Sequence, residues 1–190
     1  MGEADKPLPP LGATVDARGV AFAVWAPTHE RAEVRLEDGG AVPLCKGADG
    51  IHRGRAAGLG AGTCYRIALD DGPAFPDPAS RFQPEGVHGP SEVVDPTRYR
   101  WGDTGWAGLD PAALTIYELH VGTFTREGTF DALRARLPYL KALGVAAVEL
   151  MPVHDFPGAR GWGYDPAALF APCRAYGRPE ALRRPVDAAH

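Results

Sequence analysis

The sequence has 190 residues, of which 45% are hydrophobic and 23% are charged, and its formal net charge is −4. A chain of this length can bury the core of one large or two small domains, and its hydrophobic content excludes an intrinsically disordered protein. Because the net charge is negative, the chain has no bulk attraction to nucleic acids or anionic membranes, and we expect neither as a partner.

The N-terminal half carries the pattern of an all-β domain. Residues 1–11 are polar and rich in proline, and we expect a loose arm there. Over residues 12–95, hydrophobic residues alternate with other residues in short runs, such as Val20, Phe22 and Val24, and glycine-rich turns separate the runs. Short strands at a spacing of about 8–12 residues predict an immunoglobulin-like β-sandwich over residues 12–95.

An aromatic-rich linker is predicted at residues 96–114, within a longer stretch, residues 73–114, that is dense in proline and glycine. That density excludes regular elements over most of the stretch. Its aromatic residues are more numerous than a free tether requires, namely Phe75, Phe82, Tyr99, Trp101 and Trp106. We expect them to hold the linker in a groove between two domains, in preference to a direct role in ligand binding.

From Thr115 onward the pattern is that of a parallel sheet covered by helices. A strand buried on both faces is predicted by the apolar residues Ile116, Tyr117, Leu119 and Val121. The next helix is capped by Thr129 and ends at Gly144, and Pro138 in its interior predicts a kink or a restart. A second strand over residues 145–151 completes a βαβ unit.

A long loop is predicted over residues 152–176, where a connection in a compact domain usually has about 2–6 residues. Long loops at the carboxyl ends of parallel strands are common places for enzyme sites. A final helix is predicted to begin at Pro179, and Pro185 is expected to break or distort it.

The loop carries one candidate site, the segment Gly161–Pro166 with the sequence GWGYDP. Sugar rings have apolar faces and a rim of hydroxyl groups, so a site that binds them needs an aromatic platform and a hydrogen-bonding acid. Tyr164 and Asp165, next to Trp162, meet that need. The alternative is that the two aromatic residues pack within the loop.

Other acidic residues give no catalytic assignment. Glu118 and Glu149 lie within predicted strands, where we expect them to be paired in a barrel interior or an interface. Asp155 and His154 follow the second strand and are candidates for lining a cleft, with the histidine as a hydrogen-bonding bystander. Glycoside hydrolysis needs two carboxylates about 5–10 Å apart, and the sequence alone identifies no such pair.

The three cysteines, Cys45, Cys64 and Cys173, are too far apart in sequence for a metal site. We therefore predict thiols, no metal, no cofactor and a cytoplasmic setting. The N-terminus lacks the apolar segment of a secretory signal, and no apolar run approaches the ~18 residues of a membrane span.

Four segments in order, YELHVGTFTREGTF, LPYLKALGVAAVELMPV, FPGARGWGYD and YGRPEALRRPVDAAH, resemble the malto-oligosyltrehalose trehalohydrolases, a family of the α-amylase superfamily (glycoside hydrolase family 13). The resemblance covers residues 12–190. It implies that residues 115–190 form the first two βα units of a truncated (β/α)8 TIM barrel. It also implies that the β-rich part is related to carbohydrate-binding modules.

The activity implied by the resemblance is retaining hydrolysis of the α-1,4 bond next to the terminal trehalose of maltooligosyl trehalose, or of a related α-1,4-glucan. Trp162, Tyr164 and Asp165 are then substrate-binding residues, with Tyr164 stacked on a sugar and Asp165 holding its hydroxyl groups. The family's catalytic acids lie on later barrel strands. We therefore expect this chain to be an N-terminal fragment that holds no catalytic residue and is inactive by itself.

Two alternatives remain open. In the first, the chain is a non-catalytic module that binds α-glucans through an exposed aromatic residue of the sandwich. Trp25 is the candidate, although its place in an alternating strand favours a core position. In the second, the chain is the N-terminal part of a glycogen branching enzyme, although those enzymes typically carry WGYQ where this chain has WGYD.

Overall fold

The computed structural model describes residues 10–190, which form two compact units. The first unit contains the described residues up to Arg81 together with Pro90–Asp95, and the second contains Phe82–Gly89 and Pro96–His190. Residues 1–9 of the predicted arm lie outside the described residues.

The first unit is a single curled antiparallel sheet of eight strands. Its strands are β1 (Gly12–Asp16), β2 (Gly19–Trp25), β3 (Ala32–Leu36), β4 (Ala41–Lys46), β5 (Ile51–Ala56), β6 (Cys64–Leu69), β7 (Ala74–Phe75) and β8 (Ser91–Glu92). They follow the order β1-β2-β5-β4-β3-β6-β7, and β8 pairs with β6. Strands that are adjacent in the sheet mostly follow one another closely in the chain, as the frequent turn signals predict.

The alternation predicted for β2 is confirmed. Val20, Phe22 and Val24 are buried, and the ring of Phe22 lies edge-on to that of Tyr65 with centroids 5.1 Å apart. The core position favoured for Trp25 is wrong, because 64% of this residue is exposed. Successive side chains of a strand point to opposite faces, so the burial of Val24 turns Trp25 outward.

A buried polar group lies beneath this sheet. The Tyr65 hydroxyl donates a hydrogen bond of 2.7 Å to the Asp77 carboxylate. The Asp77 amide donates to the Ser91 hydroxyl at 2.9 Å, and the Ala79 amide donates to the carboxylate at 2.8 Å. Burial raises the pKa of the Asp77 carboxyl, although the hydrogen bonds from Tyr65 and Ala79 oppose the shift.

The second unit contains two small sheets and three helices. Its elements are β9 (Ile116–Leu119), α1 (Val121–Phe124), α2 (Phe130–Ala142), β10 (Ala147–Leu150), β11 (His154–Asp155), β12 (Ala168–Pro172) and α3 (Pro179–Ala189). β9 and β10 are parallel, whereas β11 and β12 are antiparallel. A core of Leu119, Phe130, Leu133, Phe156 and Tyr176 joins these elements.

The helix α2 begins as predicted. The Thr129 hydroxyl accepts a hydrogen bond of 3.2 Å from the Ala132 amide, which satisfies one of the free amides of the first turn. The restart expected at Pro138 does not occur, because the helix is continuous from Phe130 to Ala142. Arg134 and Pro138 are both exposed, so water can reach the carbonyl group that loses its amide partner.

The break expected at Pro185 is also wrong, since α3 is continuous through this residue. The Pro185 ring is buried and lines an apolar groove with Leu133, Leu137 and Val148. Burial of the ring offsets the lost hydrogen bond. No helix of residues 10–190 combines the length and apolarity needed to cross a bilayer.

The sequence predicts that the strand β9 is buried on both faces, and this prediction is wrong. Ile116 is 56% exposed and Tyr117 is 37% exposed, while Leu119 is buried. Val121 is buried but belongs to α1 rather than to the strand. Among the described residues β9 has one strand neighbour, β10. This explains why its apolar side chains remain exposed to solvent.

The predicted linker contacts α3. Short 3-10 turns form at Pro96–Arg98 and Pro111–Ala113. The Tyr99 hydroxyl and the Gly102 amide donate to the Asp187 carboxylate at 3.0 and 2.7 Å. This part of the chain is thus held to a helix of its own unit.

Candidate functional site

The predicted long loop contains a short antiparallel ribbon, β11 with β12, that the sequence analysis does not anticipate. Ala168 pairs with Asp155, and Pro172 pairs with His154. The strand β12 has the sequence ALFAP, whose run of apolar and small residues carries no alternation. The segment Phe156–Ala167, which holds the GWGYDP sequence, is therefore a loop closed at its base by a ribbon.

Gly163 fixes the path of this loop. Its φ of +88° lies in the left-handed region, and a Cβ atom at this position would clash with the Pro152 carbonyl oxygen. Only glycine combines that backbone conformation with so close an approach. The backbone of its two neighbours, Trp162 and Tyr164, is consequently held in one position.

The three predicted substrate-binding residues are at the surface. Trp162 is 61% exposed, Tyr164 is 68% exposed, and Asp165 is exposed as well. The alternative in which the two aromatic residues pack within the loop requires both side chains to be buried, and neither is. Exposed aromatic rings beside a carboxylate can contact the apolar face of a sugar and accept hydrogen bonds from its hydroxyl groups.

His120 supports the loop, although no motif in the sequence singles it out. It directly follows β9, and its Nε2 atom lies 2.9 Å from the Gly161 carbonyl oxygen. The imidazole is also edge-on to the Trp162 indole, with centroids 5.0 Å apart. The signal for this role is the position of a histidine immediately after a strand that ends near the loop.

Tyr176 supports His120 from the core side. It is 5% exposed, and its hydroxyl oxygen lies 2.9 Å from the His120 Nε2 atom. Its ring is edge-on to Phe130, with centroids 5.9 Å apart. Burial raises the pKa of Tyr176 to about 12, so the phenol stays neutral and can take part in hydrogen bonds near neutral pH.

The cleft-lining role expected for Asp155 is wrong. The residue is fully buried, and Nη1 of Arg174 donates to both of its carboxylate oxygens, at 2.9 and 3.2 Å. The Phe156 amide donates to the same carboxylate at 3.1 Å, and Arg174 also reaches the Gly158 carbonyl. Asp155 is thus part of an internal ion pair that ties the two sides of the loop together. Burial and the nearby Asp155 raise the pKa of the Cys173 thiol.

Glu118 and Glu149 are partners in the parallel register of β9 and β10, and both are exposed. They therefore occupy equivalent places on neighbouring strands. No cluster of three or more His, Cys, Asp or Glu residues suited to a metal ion occurs within residues 10–190.

Comparison with known proteins identifies relatives over nearly the whole chain, although no protein-family profile matches. The chain is 47% identical over 182 residues to the malto-oligosyltrehalose trehalohydrolase of Deinococcus radiodurans and 41% identical over 180 residues to that of Saccharolobus solfataricus. Each alignment covers 95% of this chain. Over nearly its whole length, the chain is thus similar to malto-oligosyltrehalose trehalohydrolases.

The chain spans about a third of the length of these relatives, namely 30% and 32%. A crystal structure described as a putative α-amylase from Salmonella typhimurium matches 95% of this chain and 31% of its own, with a TM-score of 0.90 and 46% identity. A 1,4-α-glucan branching enzyme of Xanthomonas oryzae is 35% identical over 205 residues. The identity to the two trehalohydrolases is thus higher than the identity to the branching enzyme.

Proposed function

We infer that this chain is part of a glycoside hydrolase that releases trehalose from maltooligosyl trehalose by cleaving the adjacent α-1,4 bond. The observation that carries the proposal is the identity of 41–47% to two malto-oligosyltrehalose trehalohydrolases over 95% of the chain. Residues 12–95 are then an immunoglobulin-like β-sandwich, residues 96–114 a linker, and residues 115–190 the start of a (β/α)8 barrel. The parallel β9–α2–β10 arrangement supports the barrel assignment.

The proposed substrate-binding residues are Trp162, Tyr164 and Asp165. Their exposure on a loop that follows a parallel strand supports this role, because parallel barrels carry their sites at the carboxyl ends of the strands. Tyr164 stacks on a sugar ring, and Asp165 accepts hydrogen bonds from its hydroxyl groups. The proposed setting is the cytoplasm, which the thiol state of the three cysteines supports.

Retaining hydrolysis needs a nucleophilic carboxylate about 5–5.5 Å from a general acid. We assign no residue of this chain to either role, so the 190-residue polypeptide alone releases no trehalose. Detection of trehalose release by the purified polypeptide would contradict this assignment.

The function is tested by exchanging segments. The matching segment of the Deinococcus radiodurans relative is replaced by this chain, and the chimera is assayed for trehalose release from maltooligosyl trehalose. We expect an active chimera whose Y164A variant has roughly five- to thirtyfold lower kcat/KM, since stacking contacts to sugars contribute on the order of 1–2 kcal/mol. A folded chimera that releases no trehalose, or that forms branched glucan, contradicts the proposal.

A second candidate function rests on Trp25, which is 64% exposed on β2 of the first unit. An exposed aromatic ring on a sheet is a suitable platform for an α-glucan. Titration of the chain with maltoheptaose distinguishes the two sites: W25A abolishes binding if the sandwich is the module, and Y164A abolishes it if the loop is the site.

A further inference from the structure

We propose that His120 is a positioning residue for the sugar-binding loop and that it acts by donating a hydrogen bond from Nε2 to the Gly161 carbonyl. The proposal rests on the function proposed above for Trp162, Tyr164 and Asp165. His120 itself does not have to touch the sugar, because it acts through the backbone and the ring that present the sugar-binding surface.

The hydrogen bonds of His120 place a proton on its Nε2 atom. A carbonyl oxygen can only accept, so the distance of 2.9 Å between Nε2 and the Gly161 oxygen requires a proton on Nε2. On the other side of the ring, Nδ1 lies 3.2 Å from the Thr123 hydroxyl oxygen. The Tyr176 oxygen, 2.9 Å from Nε2, accepts a share of the same proton. These contacts engage both nitrogen atoms of the imidazole.

The imidazole holds the loop at two adjacent points. It binds the carbonyl of Gly161, and its ring packs edge-on against the next residue, Trp162, at 5.0 Å between centroids with planes 64° apart. On the other side of Trp162, Gly163 rests against the Pro152 carbonyl. Trp162 is therefore fixed from both sides although 61% of it is exposed.

The support behind His120 is rigid. The Tyr176 ring is edge-on to the imidazole, with centroids 5.8 Å apart, and is buried against Phe130 and Phe156. Gly122 lies so close that a Cβ atom there would be 2.9 Å from the Tyr176 ring and 3.0 Å from the His120 ring. Such close packing leaves the imidazole little freedom to rotate. Because the exposed platform is already held in place, it loses less conformational entropy when a ligand binds.

The first measurement is made without sugar on the full chain. The indole N–H resonance of Trp162 is assigned by its loss in W162F and then compared between the wild type, H120A and H120Q. We expect a displaced or broadened Trp162 resonance in H120A and partial recovery in H120Q, because the glutamine amide can donate to the Gly161 carbonyl. The Trp106 resonance, which reports on the stack with His190, should stay unchanged as the control for folding.

The second measurement is the affinity for maltotetraose. We expect H120A to bind about tenfold more weakly than the wild type, since one hydrogen bond and one aromatic contact are lost, and H120Q to recover part of the loss. If the wild type does not bind maltotetraose, the sugar-binding role proposed for the loop fails, while the positioning role is still judged by the Trp162 resonance.

A folded H120A protein with the wild-type Trp162 resonance and wild-type affinity overturns the proposal. If H120A does not fold, T123V replaces it as the test variant, because it removes the hydrogen-bond partner of Nδ1 and leaves the ring in place. T123V should then change the Trp162 resonance in the same direction but by a smaller amount, and an unchanged resonance overturns the proposal.

Discussion

The indole of Trp106 lies flat on the imidazole of His190, with ring centroids 3.7 Å apart and planes within 4° of each other. The Nδ1 atom of the same imidazole is 2.7 Å from the Asp103 carboxylate. Together with the bonds from Tyr99 and Gly102 to Asp187, this stack fastens the proposed linker along the end of α3. The linker thus contributes to the stability of the second unit.

The W106A variant should lower the free energy of unfolding by about 1 kcal/mol, which is the usual contribution of a stacked aromatic pair at a partly exposed position. Chemical denaturation followed by circular dichroism measures the change. W25A, at an exposed position in the first unit, serves as the matched control and should change the free energy of unfolding by less than about 0.5 kcal/mol. Equal effects of the two substitutions would contradict the role of the stack.

The R174A variant should destabilise the protein by about 3 kcal/mol, because it leaves the Asp155 carboxylate buried without its counter-charge. R184A is the control, since Arg184 pairs with Asp131 at 2.8 Å where both side chains are about half exposed. We expect less than about 1 kcal/mol for that exposed pair. Urea denaturation of the two variants makes the comparison, and a similar cost for both would show that burial of the Asp155 pair does not matter.

Asp77 should make stability depend on pH. Burial raises the pKa of its carboxyl above the ordinary value of 3.8, so the native state keeps the proton to higher pH than the unfolded state does. The stability contributed by this group is fully present below that ordinary value and declines as the pH rises through the raised pKa. The difference in unfolding free energy between the wild type and D77N should therefore fall as the pH rises.

A control of opposite sign is available at Asp16. The hydrogen bond from Arg55 lowers the pKa of the Asp16 carboxyl, so its contribution is present above pH 3.8 and is lost as the pH falls through the lowered pKa. The difference between the wild type and D16N should rise with pH. Urea denaturation across the acidic range measures both differences, and parallel trends in the two variants would contradict the assignment for Asp77.

The G163A variant should displace the loop that carries Trp162 and Tyr164. The added methyl group meets the Pro152 carbonyl oxygen at a φ of +88°, so backbone movement is required. G158A is the matched control, because Gly158 has nearly the same φ, +87°, with no atom near the Cβ position. It should cost only about 1 kcal/mol of backbone strain. Maltotetraose titration should show weaker binding for G163A than for G158A, and equal affinities would contradict the constraint at Gly163.

The sequence predicts features that depend on neighbouring residues. The alternation of Val20, Phe22 and Val24 predicts their burial, and the position of Thr129 before an apolar helix pattern predicts its capping bond. The same local rules are wrong at Pro185, because packing of the ring in a groove is not visible in the sequence. Local rules do not reveal which partners a side chain will find across the fold.

The candidate site also combines features that the sequence predicts with a contact that depends on the fold. The residue types of Trp162, Tyr164 and Asp165 indicate sugar binding without any structure. The role of His120 depends on a contact with Gly161, which lies 41 residues away in the chain. Only the parallel pairing of β9 and β10, followed by the return of the loop, brings these two residues together.

The pairing of β9 with β10 along one ladder has a consequence for hydrogen exchange. Each strand of a parallel pair directs alternate amide groups toward its partner, and the amides between them point the other way. In the polypeptide of residues 1–190, slow and fast exchange should therefore alternate along Ile116–Leu119 and Ala147–Leu150. A third strand added to either edge would slow the fast set, so deuterium uptake at single residues would report the extension of this sheet.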